Sequence, residues 1–259
     1  MGGAMLAGWI ESRFIDQGIY IVEPNEEATR QFEKIPNLKI VRTVSAISET
    51  SVPSVVILAV KPQIMDETLP DLKRFVGKET TFLSVAAGKT LGYFEKHLGE
   101  DAQVVRAMPN TPAAVMRGIT VYVPNANVPK QQSALCGELL SSVGEAVLVG
   151  EEGLMDPVTA VSGSGPAYVF LLIEVMAKAG VNAGLPPDLA MRLARSTVSG
   201  SGELARLSEE APSQLRINVT SPGGTTAAAL DVLMAEKGIQ PIFDEAINAA
   251  TIRSRELAG

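Results

Sequence analysis

Histidine is all but missing from this chain: His97 is the single one among 259 residues. A Ser-His-Asp or Cys-His mechanism would have to use it. It sits in the helix-like run Tyr93-Phe94-Glu95-Lys96-His97-Leu98 with no nucleophile motif beside it, and reads as an ordinary surface or helix-end residue. Cysteine is as scarce. Cys136 stands alone, which excludes an intrachain disulfide and, with one histidine, nearly excludes a zinc-type metal site. Lack of disulfides fits a reducing compartment, so a cytoplasmic location is expected. Aromatics make up only 5%, and 22 Lys and Arg face 29 Asp and Glu, for a net charge of −7. An acidic balance of this size argues against a nucleic-acid partner. No unbroken run of about 18 apolar residues occurs, so no membrane segment is expected. The start lacks the basic stretch and cleavage site of a signal peptide.

What is present is 46% hydrophobic residue, rich in Ala, Gly, Val and Leu, enough for closely packed helices and parallel strands. The length suits one large domain or two modest ones. Residues 1–16 read as the front of a helix. Ile19-Tyr20-Ile21-Val22 is a short strand stopped by Glu23-Pro24-Asn25. A charged helix over 26–34 and a strand over 39–43 follow. Residues 54–60 form a β-branched run, the mark of a strand buried on both faces. It ends in Lys61-Pro62-Gln63, and a helix continues to about residue 75. Strands are expected over 81–85, 103–107, 118–123 and 145–149. Alternating strands and helices imply right-handed crossovers and a mostly parallel sheet. Ligands bind beyond the carboxyl ends of such strands, where Glu23, Lys61, Ala87 and Asn110 fall.

After about residue 150 the chain reads as helix alone, over 167–183, 186–207, 222–237 and 241–257, with 209–212 as a loop. The expected division is a nucleotide-binding domain over 1–150 and a helical domain over 151–259. Residues 165–176 are apolar nearly all round, which in so small a domain suggests a subunit interface.

Two stretches carry chemistry. In residues 218–230, Ser221-Pro222-Gly223-Gly224 gives way to Thr225-Thr226-Ala227, a turn that opens a helix. Glycine lets backbone N–H groups approach an anion, and a helix N-terminus with two hydroxyls beside it suits a carboxylate. The structural alternative is a tight turn between packed helices. The other stretch is Gly2 and Gly3 opening a helix, with Glu23 closing the next strand, half of a dinucleotide-binding fingerprint. Its first strand is missing from this sequence. That strand would bury, say, four side chains at about 1.5–3 kcal/mol each, against a net stability of about 5–15 kcal/mol. A truncated or misassigned start is therefore expected, with a degraded copy that no longer binds cofactor as the duller alternative.

Taken together, Ala59-Val60-Lys61-Pro62-Gln63, Ala86-Ala87-Gly88, residues 106–112, residues 156–170 and residues 219–230 resemble the pyrroline-5-carboxylate reductases. The resemblance runs the length of the chain in the family's order, and its last two blocks are highly specific. It implies an α/β fold, a Rossmann-like doubly wound sheet followed by an all-helical dimerisation domain. It also implies hydride transfer from NADPH or NADH to the imine of 1-pyrroline-5-carboxylate, giving L-proline. A protonated imine is a good electrophile, so positioning is the protein's main task.

By that resemblance Gly2 and Gly3 belong to the pyrophosphate turn and Glu23 to the adenosine ribose. Val60, Lys61 and Ala87 line the cofactor, and Asn218 reaches it from the helical half. Gly223, Gly224, Thr225 and Thr226 hold the substrate carboxylate, with Glu152 and Glu209 near it, and Thr226 and Lys61 are the catalytic pair. Against these roles, Lys61 has a solvated strand-end reading and Glu152 and Glu209 a solvated acidic-turn reading; Ser164 reads either as a catalytic contact or as a helix cap and close-packing turn. Family members pair through the helical half, with active sites between domains and near the partner, and pairs often assemble further to decamers. A carboxylate at Glu23 accepts bonds from ribose hydroxyls and repels a 2′-phosphate, so NADH use at least equal to NADPH is expected. The rivals are a related hydroxy-acid dehydrogenase, for which residues 151–200 offer only Lys178 as a base, and a non-catalytic dimeric remnant.

Overall fold

The computed structural model describes residues 1–12 and 14–258. They form two compact units, one of Met1–Gly163 with the residues from Thr251 onward, the other Ser164–Ala250.

In the first unit α1 (Gly2–Glu11) leads into β1 (Ile19–Val22), the short α2 (Glu26–Thr29) and β2 (Leu38–Val41). Then come β3 (Val55–Leu58), α3 (Met65–Leu72), β4 (Thr81–Ser84), α4 (Leu91–Leu98) and β5 (Gln103–Met108). The unit continues with β6 (Gly118–Pro124), α5 (Lys130–Ser141), β7 (Gly144–Leu148) and α6 (Met155–Val158). Strands β1 and β2 pair as a two-stranded parallel sheet, while β3-β4-β5-β6-β7 form a five-stranded one. The latter is mixed: β5 and β6 run antiparallel, and its other pairings are parallel. The cause lies in residues 109–117, which hold only a 3-10 turn at Thr111–Val115. A parallel return needs a crossover of a dozen or more residues.

Side chains alternate across the large sheet. Phe82 and Val104 enter one core with Leu58, Met65, Leu69 and Phe94, beneath α3 and α4. Leu83 and Val105 enter the other with Met5, Trp9, Cys136 and Leu140, beneath α1 and α5. Trp9 closes that side by donating from Nε1 to the Leu139 carbonyl at 2.8 Å.

Strand β3 departs from the expected burial on both faces. Only Leu58 is buried, whereas Val55, Val56 and Ile57 are half-buried. As the end strand of its sheet, β3 pairs on one side only, and an apolar run records a preference for burial rather than the presence of a neighbour.

Burial of Cys136 pushes its thiol from 9.0 up to about 12. A raised pKa means the folded chain keeps the proton while the unfolded chain loses it. The associated stability is complete below pH 9.0 and disappears by about pH 12. The expected slope from this one group is about 1.4 kcal/mol per pH unit. Urea midpoints of wild type and Cys136→Ala should therefore converge as the pH is raised above 9.0; a constant gap would contradict this.

The second unit holds α7 (Gly165–Asn182), α8 (Pro187–Leu207), α9 (Pro212–Asn218), α10 (Thr225–Leu233) and most of α11 (Ile239–Ala258). Small residues let α7 and α8 approach, since a Cβ on Gly180 would stand 3.3 Å from that of Ala190. Tyr168 meets Phe243 edge to face. The short α9 was not expected, and α10 is shorter than expected at both ends, since residues 222–224 and 234–237 remain outside it. Val169, Phe170, Leu171 and Val175 of α7 lie exposed on the single chain. By length and composition the helical stretch Glu152–Asn182 would also suffice to cross a membrane, although Glu174 and Lys178 break its apolar run.

Candidate active site

Helix α1 starts at Gly2, and its N-cap residue Met1 makes no side-chain cap bond. The Ala4 and Met5 amides turn back to the Met1 carbonyl, while the first amides of a helix have no partner within it. A Cβ on Gly2 would lie 3.1 Å from Ala59 Cβ, so the absence of a side chain lets this helix start abut the end of β3. Around Gly3 the space is open. A positive helix end whose first two residues are glycine fits a dinucleotide's pyrophosphate.

Glu23 follows β1 and is held on both sides. Its amide donates to Val41 in the β2 pairing, and its Oε1 accepts the Asn25 amide at 2.9 Å. Val60 and Lys61 follow β3, where Lys61 is exposed and precedes a 3-10 turn at Pro62–Ile64. Ala87 follows β4 and is exposed. Asn110, the remaining strand-end residue, is buried and occupied structurally, donating to the Ser162 carbonyl and accepting the Ile119 amide.

Glu152 lies in a 3-10 turn, Glu152–Leu154, rather than in a solvated loop. Its Oε1 sits 2.7 Å from Arg106 Nη1 and accepts the Leu91 amide at 2.8 Å. Arg106 is only 5% exposed. This pair joins β5 to the start of α4, next to the residue 86–90 turn that carries Ala87. Arg106 opens one of the matched blocks but receives no site role from the sequence, although one charge inside an apolar strand is a usable signal. Asp156, within a matched block, accepts the Ser254 hydroxyl at 2.7 Å. That anchors the end of α11, where Leu257 lies against Gly88.

His97 belongs to a local cluster on α3 and α4. Its Nδ1 is 2.8 Å from the Tyr93 carbonyl and its Nε2 is 3.6 Å from Asp66. The Tyr93 hydroxyl donates to Asp66. That bond is the main reason the Asp66 carboxyl is held below its ordinary value, whereas burial first, then Asp66, pushes the Tyr93 phenol up.

In the second unit Gly224 is the N-cap of α10 and supplies no side-chain cap. Thr225 and Thr226 are the first two residues of that helix. Gly223 has φ +70°, a conformation that glycine adopts without strain. Asn218 ends α9, and its side chain is engaged locally: it accepts from Gln214 at 2.8 Å and donates to Glu210 at 3.0 Å. Glu209 is exposed in the turn after α8, and its neighbour Glu210 is the one that meets Asn218. The start of α10 brings first-turn amides and the Thr225 and Thr226 residues together, the kind of donor set a small anion needs. Among the described residues no cluster of His, Cys, Asp and Glu could hold a metal ion.

A glycine-opened helix, an acidic strand end and a predominantly parallel sheet, followed by helices with exposed apolar residues, are the features of a dinucleotide-binding fold joined to a helical domain. A family model described as NADP oxidoreductase, coenzyme F420-dependent, matches residues 1–88. A second, described as pyrroline-5-carboxylate reductase dimerisation, matches residues 152–257. This chain belongs to the pyrroline-5-carboxylate reductase family. It is 40% identical to the pyrroline-5-carboxylate reductase of Synechocystis over 99% of this chain and 96% of that one. The corresponding structure from Coxiella burnetii superposes with a TM-score of 0.92 at 32% identity, covering 100% of this chain and 95% of the other. The Plasmodium falciparum pyrroline carboxylate reductase, solved with NADP bound, gives a TM-score of 0.79 at 30% identity, with coverages of 100% and 95%. The dimerisation match spans residues 152–257 and so includes α7 and its exposed apolar residues.

Proposed function

We propose that this chain reduces the C=N bond of 1-pyrroline-5-carboxylate with NAD(P)H to give L-proline, as a cytoplasmic homo-oligomer. The observation that carries this reading is the likeness to reductases of that name across both units. When bound, the reduced nicotinamide supplies the hydride. The protein's own part is binding and orientation. The amides of Gly2 and Gly3 receive the pyrophosphate, Glu23 the ribose hydroxyls, and Val60, Lys61 and Ala87 line the remainder, with Asn218 as a further contact. The first-turn amides of α10 behind Gly223 and Gly224, with the Thr225 and Thr226 hydroxyls, hold the substrate carboxylate. Thr226 and Lys61 are assigned to the reacting end. Glu209 stays a substrate-side carboxylate, while Glu152 acts through its bond to the Leu91 amide.

A hydroxy-acid substrate would want a Lys or His general base in the helical half, where residues 151–200 offer only Lys178, within the apolar helix α7. The test is oxidation of NADH and NADPH with pyrroline-5-carboxylate, for wild type and Glu23→Ser. NADH should serve at least as well as NADPH in wild type. Glu23→Ser should move the ratio of kcat/KM values towards NADPH by about tenfold, the effect of losing one charge-assisted bond. No turnover with either cofactor would remove the substrate assignment; an unmoved ratio would remove Glu23 from cofactor choice.

A further inference from the structure

Arg42 stands one residue beyond β2, the strand that pairs with β1. Its Nη1 donates to the backbone carbonyl of Glu23 at 2.9 Å and lies 3.4 Å from Thr29 Oγ1, while Nη2 is 3.4 Å from Glu26. The guanidinium is thus fastened to the very turn whose carboxylate faces the ribose in the reading above. Its outer side is loosely held: the Arg42 side chain is 40% exposed and that of Glu26 is 81% exposed. A solvent-exposed ion pair of this kind contributes little and exchanges readily with another anion.

We propose that Arg42 admits a 2′-phosphate at this turn, so that Glu23 and Arg42 read the two forms of the dinucleotide in opposite senses. This rests on the assignment of Glu23 to the adenosine ribose. A guanidinium presents a planar fork of donors that matches phosphate oxygens, and it keeps its charge at every working pH. Nη1 remains on the Glu23 carbonyl and sets the position of the group; Nη2 exchanges the Glu26 carboxylate for the phosphate. Glu23, Glu26 and Glu27 all oppose a phosphate in this segment. Arg42 offsets them, which lets a chain with an acidic strand end also take the phosphorylated cofactor.

The test is calorimetric titration of the full chain with NAD+ and NADP+, without substrate, for wild type, R42Q, R42K and E26Q. R42Q should weaken NADP+ by about tenfold or more, the loss of one charge-assisted contact, and leave NAD+ within about twofold. Unchanged NAD+ binding also shows that the variant is folded. R42K should fall between wild type and R42Q, and E26Q should tighten NADP+ alone. The NADP+ affinity of wild type should fall more steeply with salt than that of R42Q. If R42Q weakens both nucleotides equally, or neither, Arg42 is structural and the proposal fails while the Glu23 assignment survives. Should R42Q not fold, an E26Q protein whose NADP+ affinity equals wild type overturns it. Wild type that binds neither nucleotide would overturn the cofactor reading itself.

Discussion

Truncating Glu152 to alanine should lower the unfolding free energy by about 3 kcal/mol, the low end for breaking a buried ion pair. The low end applies because the Glu152 side chain is 30% exposed, although that of Arg106 is only 7% exposed. The truncation leaves the Arg106 guanidinium buried without its counter-charge and the Leu91 amide without its acceptor. Urea midpoints measure the loss. Adding Arg106→Met to Glu152→Ala should recover part of it, since the second change removes the stranded charge. A midpoint equal to wild type would mean that the carboxylate serves the substrate alone.

Gly144→Ala should be worse still, costing about 4 kcal/mol or more, or preventing soluble expression. Gly144 has φ +147°, and a Cβ there would run into the backbone of Gly118, with the Gly118 C and N atoms at 2.6 Å and the carbonyl oxygen in direct overlap. Gly118 and Gly144 are the first matched pair of the β6–β7 ladder, so neither backbone can retreat without unzipping it. Gly92→Ala is the control. Its Cβ would meet nothing within 4 Å on α4, and alanine should raise stability by about 1 kcal/mol. Thermal unfolding distinguishes these; a Gly144→Ala protein that melts with wild type would refute the clash.

The strands were legible because each is an apolar run closed by turn residues, and Ile19–Val22 and Gln103–Met108 emerge within a residue of expectation. Strand direction was not, since the antiparallel β6 follows from the length of its connection and from what it finds beside it. Helix α9 was hidden by its brevity and by the acidic loop before it. At the site, the turn ahead of Thr225 and the glycine start of α1 announced themselves by residue type. The partners did not: Arg106 lies 46 residues from Glu152 and Ser254 lies 98 from Asp156. Arg42 reached Glu23 only through strand pairing. Local chemistry can be read along a chain, but the bond that consumes it is set by folding.

Helix α11 belongs to both compact units, and its residues from Thr251 onward complete the first. The consequence concerns order of synthesis. Ribosomes release chain from the amino end, so the nucleotide-binding unit lacks the hydroxyl that Asp156 binds, and the cover over Gly88, until the closing residues emerge. Unlike a domain made of one continuous segment, which can finish while translation continues, this one reaches its full set of contacts only after every residue of the other unit has been made.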